Sequence, residues 1–163
     1  LEDVDKTGMT ALMLAAANGH LEVVNWLLSH GAKPDPQDKK GKTALIHAAD
    51  QGENVQVLQA LASAKANLEI ASSDGATALI WAAGGGSAES VRTLLQLGAN
   101  ANAQDLEGTT ALMEAVQVRS PETVKALIAY GADKELKNKE GKKAIDFTSV
   151  KRNSACAVIL ADS

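Results

Sequence analysis

Aromatic residues are scarce in this chain: its 163 residues include only Trp26, Trp81, Tyr130 and Phe147. A β-sandwich or barrel core would want more of them, together with more β-branched side chains. A single cysteine, Cys156, excludes a disulfide framework within the chain. No apolar run approaches the roughly 18 residues that a membrane-spanning helix needs, so no membrane insertion is expected. An excess of positive charge is also missing. The 16 Lys and Arg stand against 20 Asp and Glu, for a net charge of -4. That balance argues against a general nucleic-acid or membrane-surface binder, which is normally basic. The opening Leu1-Glu2-Asp3 lacks the basic, apolar, small-residue order of a secretory signal. With one thiol and no targeting signal, an intracellular location is expected, in cytoplasm or nucleus, with an organelle left open.

What is abundant is alanine, with 30 residues, which points to helices packed closely on small side chains. The chain also repeats itself. Glycine followed two residues later by Thr-Ala-Leu occurs at Gly8, Gly41, Gly75 and Gly108, and in degraded form as Lys143-Ala144-Ile145 after Gly141. The spacings are 33, 34, 33 and 33 residues. Each intact copy continues with paired small residues (Ala15-Ala16, Ala48-Ala49, Ala82-Ala83, Ala115-Val116) and then a second apolar stretch such as Val23-Val24 with Leu27-Leu28. A sustained period of this length marks a stacked-repeat architecture. One copy reads as helix, turn, helix and hairpin. The Thr is an N-cap whose hydroxyl accepts from a free N–H of the first turn. The alanines and leucines at 3–4 residue spacing make a single apolar face. Gly19, Gly52 and Gly86 stop the first helix. Runs such as Asp38-Lys39-Lys40-Gly41 are turns. The one extra residue of the second copy falls most simply between Gly52 and Val57, in the inter-helix turn.

Gly-x-Thr-Ala-Leu, the alanine pair, Gly19-His20, Val-Val-x-x-Leu-Leu and the closing Gly-Ala together resemble the ankyrin repeat over nearly the whole chain. The resemblance implies an all-α solenoid of about five helix-turn-helix units with short β-hairpins, forming one domain over residues 1–163. The units run at about 1–37, 38–71, 72–104, 105–137 and 138–163. Met13, Ile46, Ile80 and Met113 stand where the family has a polar histidine, so packing contacts are expected there. Arg119 replaces the inter-helix glycine of the fourth unit and puts its turn geometry in question. The fifth unit, with Lys143 in place of Thr and with polar Ser149 and Asn153, reads as a capping repeat and the least stable one. The chain starts inside a hairpin and lacks an initiator Met, so a fragment with an upstream cap or further repeats in the parent protein is expected.

The resemblance also implies that partners bind along the hairpin tips and the exposed side of the first helices, the family's fingers and concave groove. The tips hold Lys39, Lys40 and Lys42 in the second unit, Asp74 in the third, Leu106 and Glu107 in the fourth, and Lys139 in the fifth. The helix row reads Leu14, His47, Trp81, Glu114 and Phe147. Three residues further come Ala17, Asp50, Gly84, Gln117 and Val150. The candidate partner-binding set is therefore Lys39, Lys40, Lys42, His47, Asp50, Asp74, Trp81, Leu106, Glu107, Glu114, Gln117 and Lys139. Trp81, central and of a type enriched at binding hot spots, is the leading residue. Trp26, on a second helix, reads as partly buried packing. Charge is segregated: a basic second tip, an acidic middle with Asp74, Asp105, Glu107 and Glu114, and a basic end with Lys137, Lys139, Lys142, Lys143, Lys151 and Arg152. Such a pattern sets register and on-rate more than affinity.

Chemistry of other kinds finds little support. His20, His30 and His47 fall in three different parts of the repeat and show no metal-ligand spacing. Trp81 and Phe147 lie two units apart, roughly 20 Å at about 10 Å per helix layer, too far for an aromatic cage. Gly84-Gly85-Gly86-Ser87 follows a helix and has no Gly-Lys-Ser/Thr, so it is not a P-loop. Cys156 has no phased histidine. No metal, cofactor, catalytic residue or small-molecule substrate is expected. The function indicated is a monomeric, non-catalytic scaffold or adaptor for a protein or peptide partner. The alternative is a regulatory or substrate-delivery segment of a larger enzyme or channel.

Overall fold

The computed structural model describes residues 2–52, 54–148 and 154–162. Short first helices alternate with longer second helices. The first are α1 (Ala11–Ala17), α3 (Ala44–Asp50), α5 (Ala78–Gly84) and α7 (Ala111–Gln117). The second are α2 (Leu21–Ser29), α4 (Val55–Ser63), α6 (Ala88–Gln96) and α8 (Pro121–Ala129). A last pair consists of the 3₁₀ helix η1 (Ala144–Phe147) and α9 (Ser154–Asp162). First helices stack in one row, α1 on α3, α5, α7 and η1. Second helices stack in a parallel row, α2 on α4, α6, α8 and α9.

A seven-residue helix is unstable alone, so each depends on its caps and its neighbours. Thr10, Thr43 and Thr110 stand at extended N-caps, and their hydroxyls accept from the N–H of Met13, Ile46 and Met113 at 3.2–3.3 Å. Thr77 holds the same place and the same backbone, but its hydroxyl is buried without a partner. The alanine pairs are buried in every intact unit. With Leu12, Leu45, Leu79 and Leu112 they form one apolar core that continues from unit to unit rather than closing on itself. Met13, Ile46, Ile80 and Met113 are all buried in it, as the substitution of the family histidine implied.

The 34-residue spacing is absorbed between α3 and α4, which connect through residues 51–54, whereas α1 and α2 connect through 18–20. Arg119 keeps the geometry of the glycine it replaces, in the left-handed region at φ 57°. Lys65, at the end of the second unit, does the same at φ 63°.

The hairpins are slighter than strands. Among the described residues they carry only isolated bridges, Val4 to Thr10 and Gln104 to Thr110. Each is a turn held by a regular backbone pair, as in Asp38 N–H to Lys42 O and Gly41 N–H to Asp38 O. Successive hairpins are joined by a further backbone bond: Lys39 N–H donates to Thr7 O, Ser73 to Lys40 O, Leu106 to Asp74 O and Lys139 to Glu107 O. This contact explains the tip glycines. A Cβ on Gly41 would lie 2.7 Å from Ser73 N, and one on Gly75 would lie 2.6 Å from Leu106 N.

The fifth unit departs from the others. Its first helix is reduced to η1, where the Asp146 carboxylate reaches back to accept from Lys143 N–H at 2.8 Å. Ser149, Lys151, Arg152 and Asn153, assigned above to this unit's polar and basic character, and Val150 of the helix row lie outside the described residues. Trp26, expected to be partly buried, is instead 54 % exposed, with its indole stacked on the His30 ring at 4.1 Å.

Candidate partner-binding groove

Between the hairpins and the row of first helices runs a groove. Its geometry follows from two columns of residues nine apart in sequence. The first opens each hairpin: Asp5, Asp38, Ser72, Asp105 and Asn138. The Asp and Asn side chains all turn inward on their own loop. Asp38 Oδ1, for example, accepts from Lys40 and Lys42 N–H at 2.8 and 2.9 Å, and Asp105 Oδ1 accepts from Glu107 and Thr109 N–H at 2.9 and 2.7 Å. The second column is the helix row, Leu14, His47, Trp81, Glu114 and Phe147.

In the second and third units the two columns are complementary. His47 Nε2–H donates to Asp38 Oδ2 at 2.9 Å. Trp81 Nε1–H donates to Ser72 Oγ at 2.9 Å, and Ser72 is itself 2.5 Å from Asp74 Oδ1. Burial alone would raise the Asp38 and Asp74 carboxyls. The N–H donors with His47 at Asp38, and the Ser72 hydroxyl, Ala76 N–H and the charge of Lys42 at Asp74, hold both below their usual range. Lys42 links the two units: its ammonium pairs with Asp50 at 2.9 Å and lies 3.5 Å from the centroid of the Trp81 ring.

In the fourth unit the donor is replaced by an acid. Glu114 stands where His47 and Trp81 stand, next to Asp105. Half-burial, and then the negative charge of Asp105, push the Glu114 carboxyl up. Among the described residues no cation lies within ion-pair distance of either. Both line an open cavity of about 310 Å³ with Asp50, Asp74, Trp81, Ile80 and the Gly84-Gly85 pair. A Cβ on Gly84 would stand in contact with the acid, 3.4 Å from Glu114 Oε2. A second open cavity, of about 480 Å³, lies between the first two hairpins and is lined by Lys39, Lys40, Lys42, His47 and Asp50 among others.

The groove thus gathers Asp50, Asp74, Trp81, Asp105 and Glu114 around one space, with Lys39, Lys40, Lys42 and His47 beside it. Leu106, Glu107 and Lys139 are exposed on the outer tips, and Gln117 is exposed on α7 without lining either cavity. Three lysines of the basic end stand beside acids: Lys139 by Glu107 at 4.0 Å, Lys142 by Glu140 at 2.7 Å, and Lys143 by Glu135. Three participants were absent from the candidate set: Asp38, Ser72 and Asp105. Their signal is the hairpin-opening column at the repeat period, legible once it is set against the helix row. Cys156 is fully buried, and burial pushes its thiol up. Among the described residues no group of three or more His, Cys, Asp or Glu side chains is placed to hold a metal ion.

A stack of helix pairs with projecting turns and an open groove defines a helical-repeat solenoid. The family model for ankyrin repeats, in three copies, matches residues 1–72 and 54–138, and the chain belongs to the ankyrin-repeat family. It is similar to M-phase phosphoprotein 8 of Rattus norvegicus, 49 % identical over 51 residues, which cover 31 % of this chain and 6 % of that protein. It is also similar to leucine-rich repeat serine/threonine-protein kinase 1 of Caenorhabditis elegans, 40 % identical over 87 residues (53 % of this chain, 4 % of the kinase). A third relative is palmitoyltransferase AKR1 of Lachancea kluyveri, 36 % identical over 91 residues (53 % of this chain, 12 % of that protein). The chain therefore spans only a small part of each of these relatives. Among the described residues no helix is long and apolar enough to cross a membrane.

Proposed function

We propose that this chain is a non-catalytic protein-interaction module that grips a basic segment of a partner protein, seating a Lys or Arg side chain in the cavity between Trp81 and Glu114. The observation that carries this reading is the acid-on-acid pair of Asp105 and Glu114, at the place where the two preceding units pair a donor with an acceptor. A guanidinium or ammonium there would satisfy both carboxylates and lie against the indole. Lys42 on Trp81 is an internal example of the same contact. The fingertips Lys39, Lys40, Leu106, Glu107 and Lys139 would contribute orientation and encounter rate, with His47, Asp50, Asp74 and Gln117 flanking the seat.

The test is titration of an Arg- and Lys-containing peptide library, with an acidic library as control, followed by calorimetry on the best sequence. Glu114→Gln is expected to weaken binding by about an order of magnitude, and Trp81→Ala to weaken it further. Binding should also weaken as pH falls into the range where Glu114 takes up its proton. Equal affinity for both libraries, or no loss on Glu114→Gln, would remove the reading.

A second reading is favoured by the kinase and palmitoyltransferase relatives, in which the matched stretch is a small part of an enzyme. The module would then restrain or deliver substrate to a catalytic domain of its own polypeptide. Comparing the parent protein's activity before and after deletion of these residues distinguishes the two.

A further inference from the structure

We propose that the cavity between the first two hairpins is a second seat, for a carboxylate of the same partner segment, so that the groove reads an acid and a base about four to six residues apart. The proposal rests on the seat for a basic side chain between Trp81 and Glu114. The open space between the hairpins, of about 480 Å³, is lined by Lys6, Lys39, Lys40 and Lys42 together with Asp38 and Asp50. Both of its acids are already matched within the chain. Asp38 Oδ2 accepts from His47, and Asp50 pairs with Lys42 at 2.9 Å. Lys6, Lys39 and Lys40 have no acid within ion-pair distance among the described residues. The Lys39 ammonium is also held in place, donating to Lys6 O of the preceding hairpin at 2.7 Å. A carboxylate entering this space meets ammonium donors that no side chain of the chain satisfies.

The two seats have opposite charge and lie along one path. Lys42 lines the basic space and not the acidic one, and Trp81 lines the acidic space and not the basic one. Their contact, ammonium on indole at 3.5 Å, is the boundary between them. A third open space, of about 360 Å³, shares Lys40 and Lys42 with the basic seat and Asp74 and Trp81 with the acidic one, so a chain can run from one to the other. Reversed placement is penalised at both ends: a carboxylate beside Glu114 meets Asp105, and a cation between the hairpins meets Lys6, Lys39 and Lys40. The second hairpin and the fourth unit's Glu114 are two units apart, roughly 20 Å at about 10 Å per helix layer. An extended chain advances about 3.3 Å per residue, which gives about six residues, and about four where the two side chains lean outward.

The experiment starts from the best Arg-containing peptide of the library titration. One Glu is placed before or after the Arg, at spacings of about two, five and eight residues, with Gln at the same position as control. Calorimetry uses the full 163-residue chain. In one of the two orders, Glu at the middle spacing is expected to bind about fivefold more tightly than its Gln control. Lys39→Gln combined with Lys40→Gln should remove that gain and leave the affinity for the Gln control within about twofold. Both lysines are exposed, and circular dichroism checks that the variant keeps its helices. No gain in either order, a gain that survives the double lysine variant, or a gain indifferent to spacing would overturn the second seat. The seat at Trp81 would then still stand if Glu114→Gln weakened the Gln control peptide. If no Arg peptide bound, or Glu114→Gln changed nothing, the first seat would fail and the second with it.

Discussion

Arg119 and Lys65 carry backbone strain that their neighbours in the repeat avoid. Both sit in the left-handed region, at φ 57° and 63°, where the other units place glycine. An L-residue there is disfavoured by roughly 1–2 kcal/mol, partly offset because glycine loses more entropy on folding. Arg119→Gly and Lys65→Gly are therefore each expected to stabilise the chain by about 0.5–1 kcal/mol in urea unfolding. The reverse change at a fingertip has no such freedom. Gly41→Ala is expected to cost more than about 2 kcal/mol, combining a left-handed φ with a Cβ driven into the next hairpin. At Glu114 the strain is electrostatic. Its folded-state pKa is raised, so the folded protein holds a proton over a window where the unfolded chain has lost it. The Glu114 contribution to stability is therefore greatest below the usual glutamate range and falls as pH rises through the raised value. Glu114→Gln should stabilise the chain at pH 7 by less than about 1 kcal/mol, since half the carboxyl faces water. The gain should vanish in thermal unfolding near pH 4. A variant less stable than the parent at pH 7 would show that Glu114 has a partner.

The first helices offer a comparison between otherwise matched caps. Thr43 and Thr77 share position, burial and backbone, but only Thr43 accepts a hydrogen bond. Thr43→Val is expected to cost about 1 kcal/mol, the usual worth of an N-cap. Thr77→Val should be neutral or stabilising, because it removes a buried hydroxyl that has no partner. Equal losses in chemical denaturation would mean that the Thr77 hydroxyl is satisfied in solution. Elements of this kind were legible before the structure. A 33-residue period fixes which leucines and alanines are interior, where helices stop and where the extra residue of the second unit goes. The groove was legible only in part. Trp81, Lys42 and Glu114 emerge from the helix and finger rows taken singly, but the pairing of His47 with Asp38 and Trp81 with Ser72 spans the two rows. Its failure at Asp105 and Glu114 appears only when the rows are superposed. Trp26 was misread for a different reason. Its position is an interior one by pattern, and pattern cannot say that no described helix packs over it.

Across the whole molecule, stability comes from contacts between adjacent units, since the main helix contacts among the described residues run within a pair or between neighbouring pairs. In such a linear array each interior unit is held from both sides and a terminal one from one side. The two ends are not equivalent. The first unit retains a full α1 with a working Thr10 cap, and what it lacks is cover over Val23 and Trp26. The fifth unit has cover from α7 and α8. However, it has lost its cap threonine to Lys143, has Thr148 where Ala15 and its counterparts stand, and forms only a single 3₁₀ turn there. Fraying should therefore begin at the C-terminal pair. Amides of η1 and α9 are expected to exchange with deuterium about tenfold or more faster than those of α3 to α6 under native conditions, with α1 and α2 between. Restoring the cap with Lys143→Thr together with Asp146→Leu should slow η1 exchange, because it rebuilds the apolar contact that Met113 makes one unit earlier. If α9 were as protected as α6, the last pair would be held by something other than stacking, and the one-sided account of this end would fail.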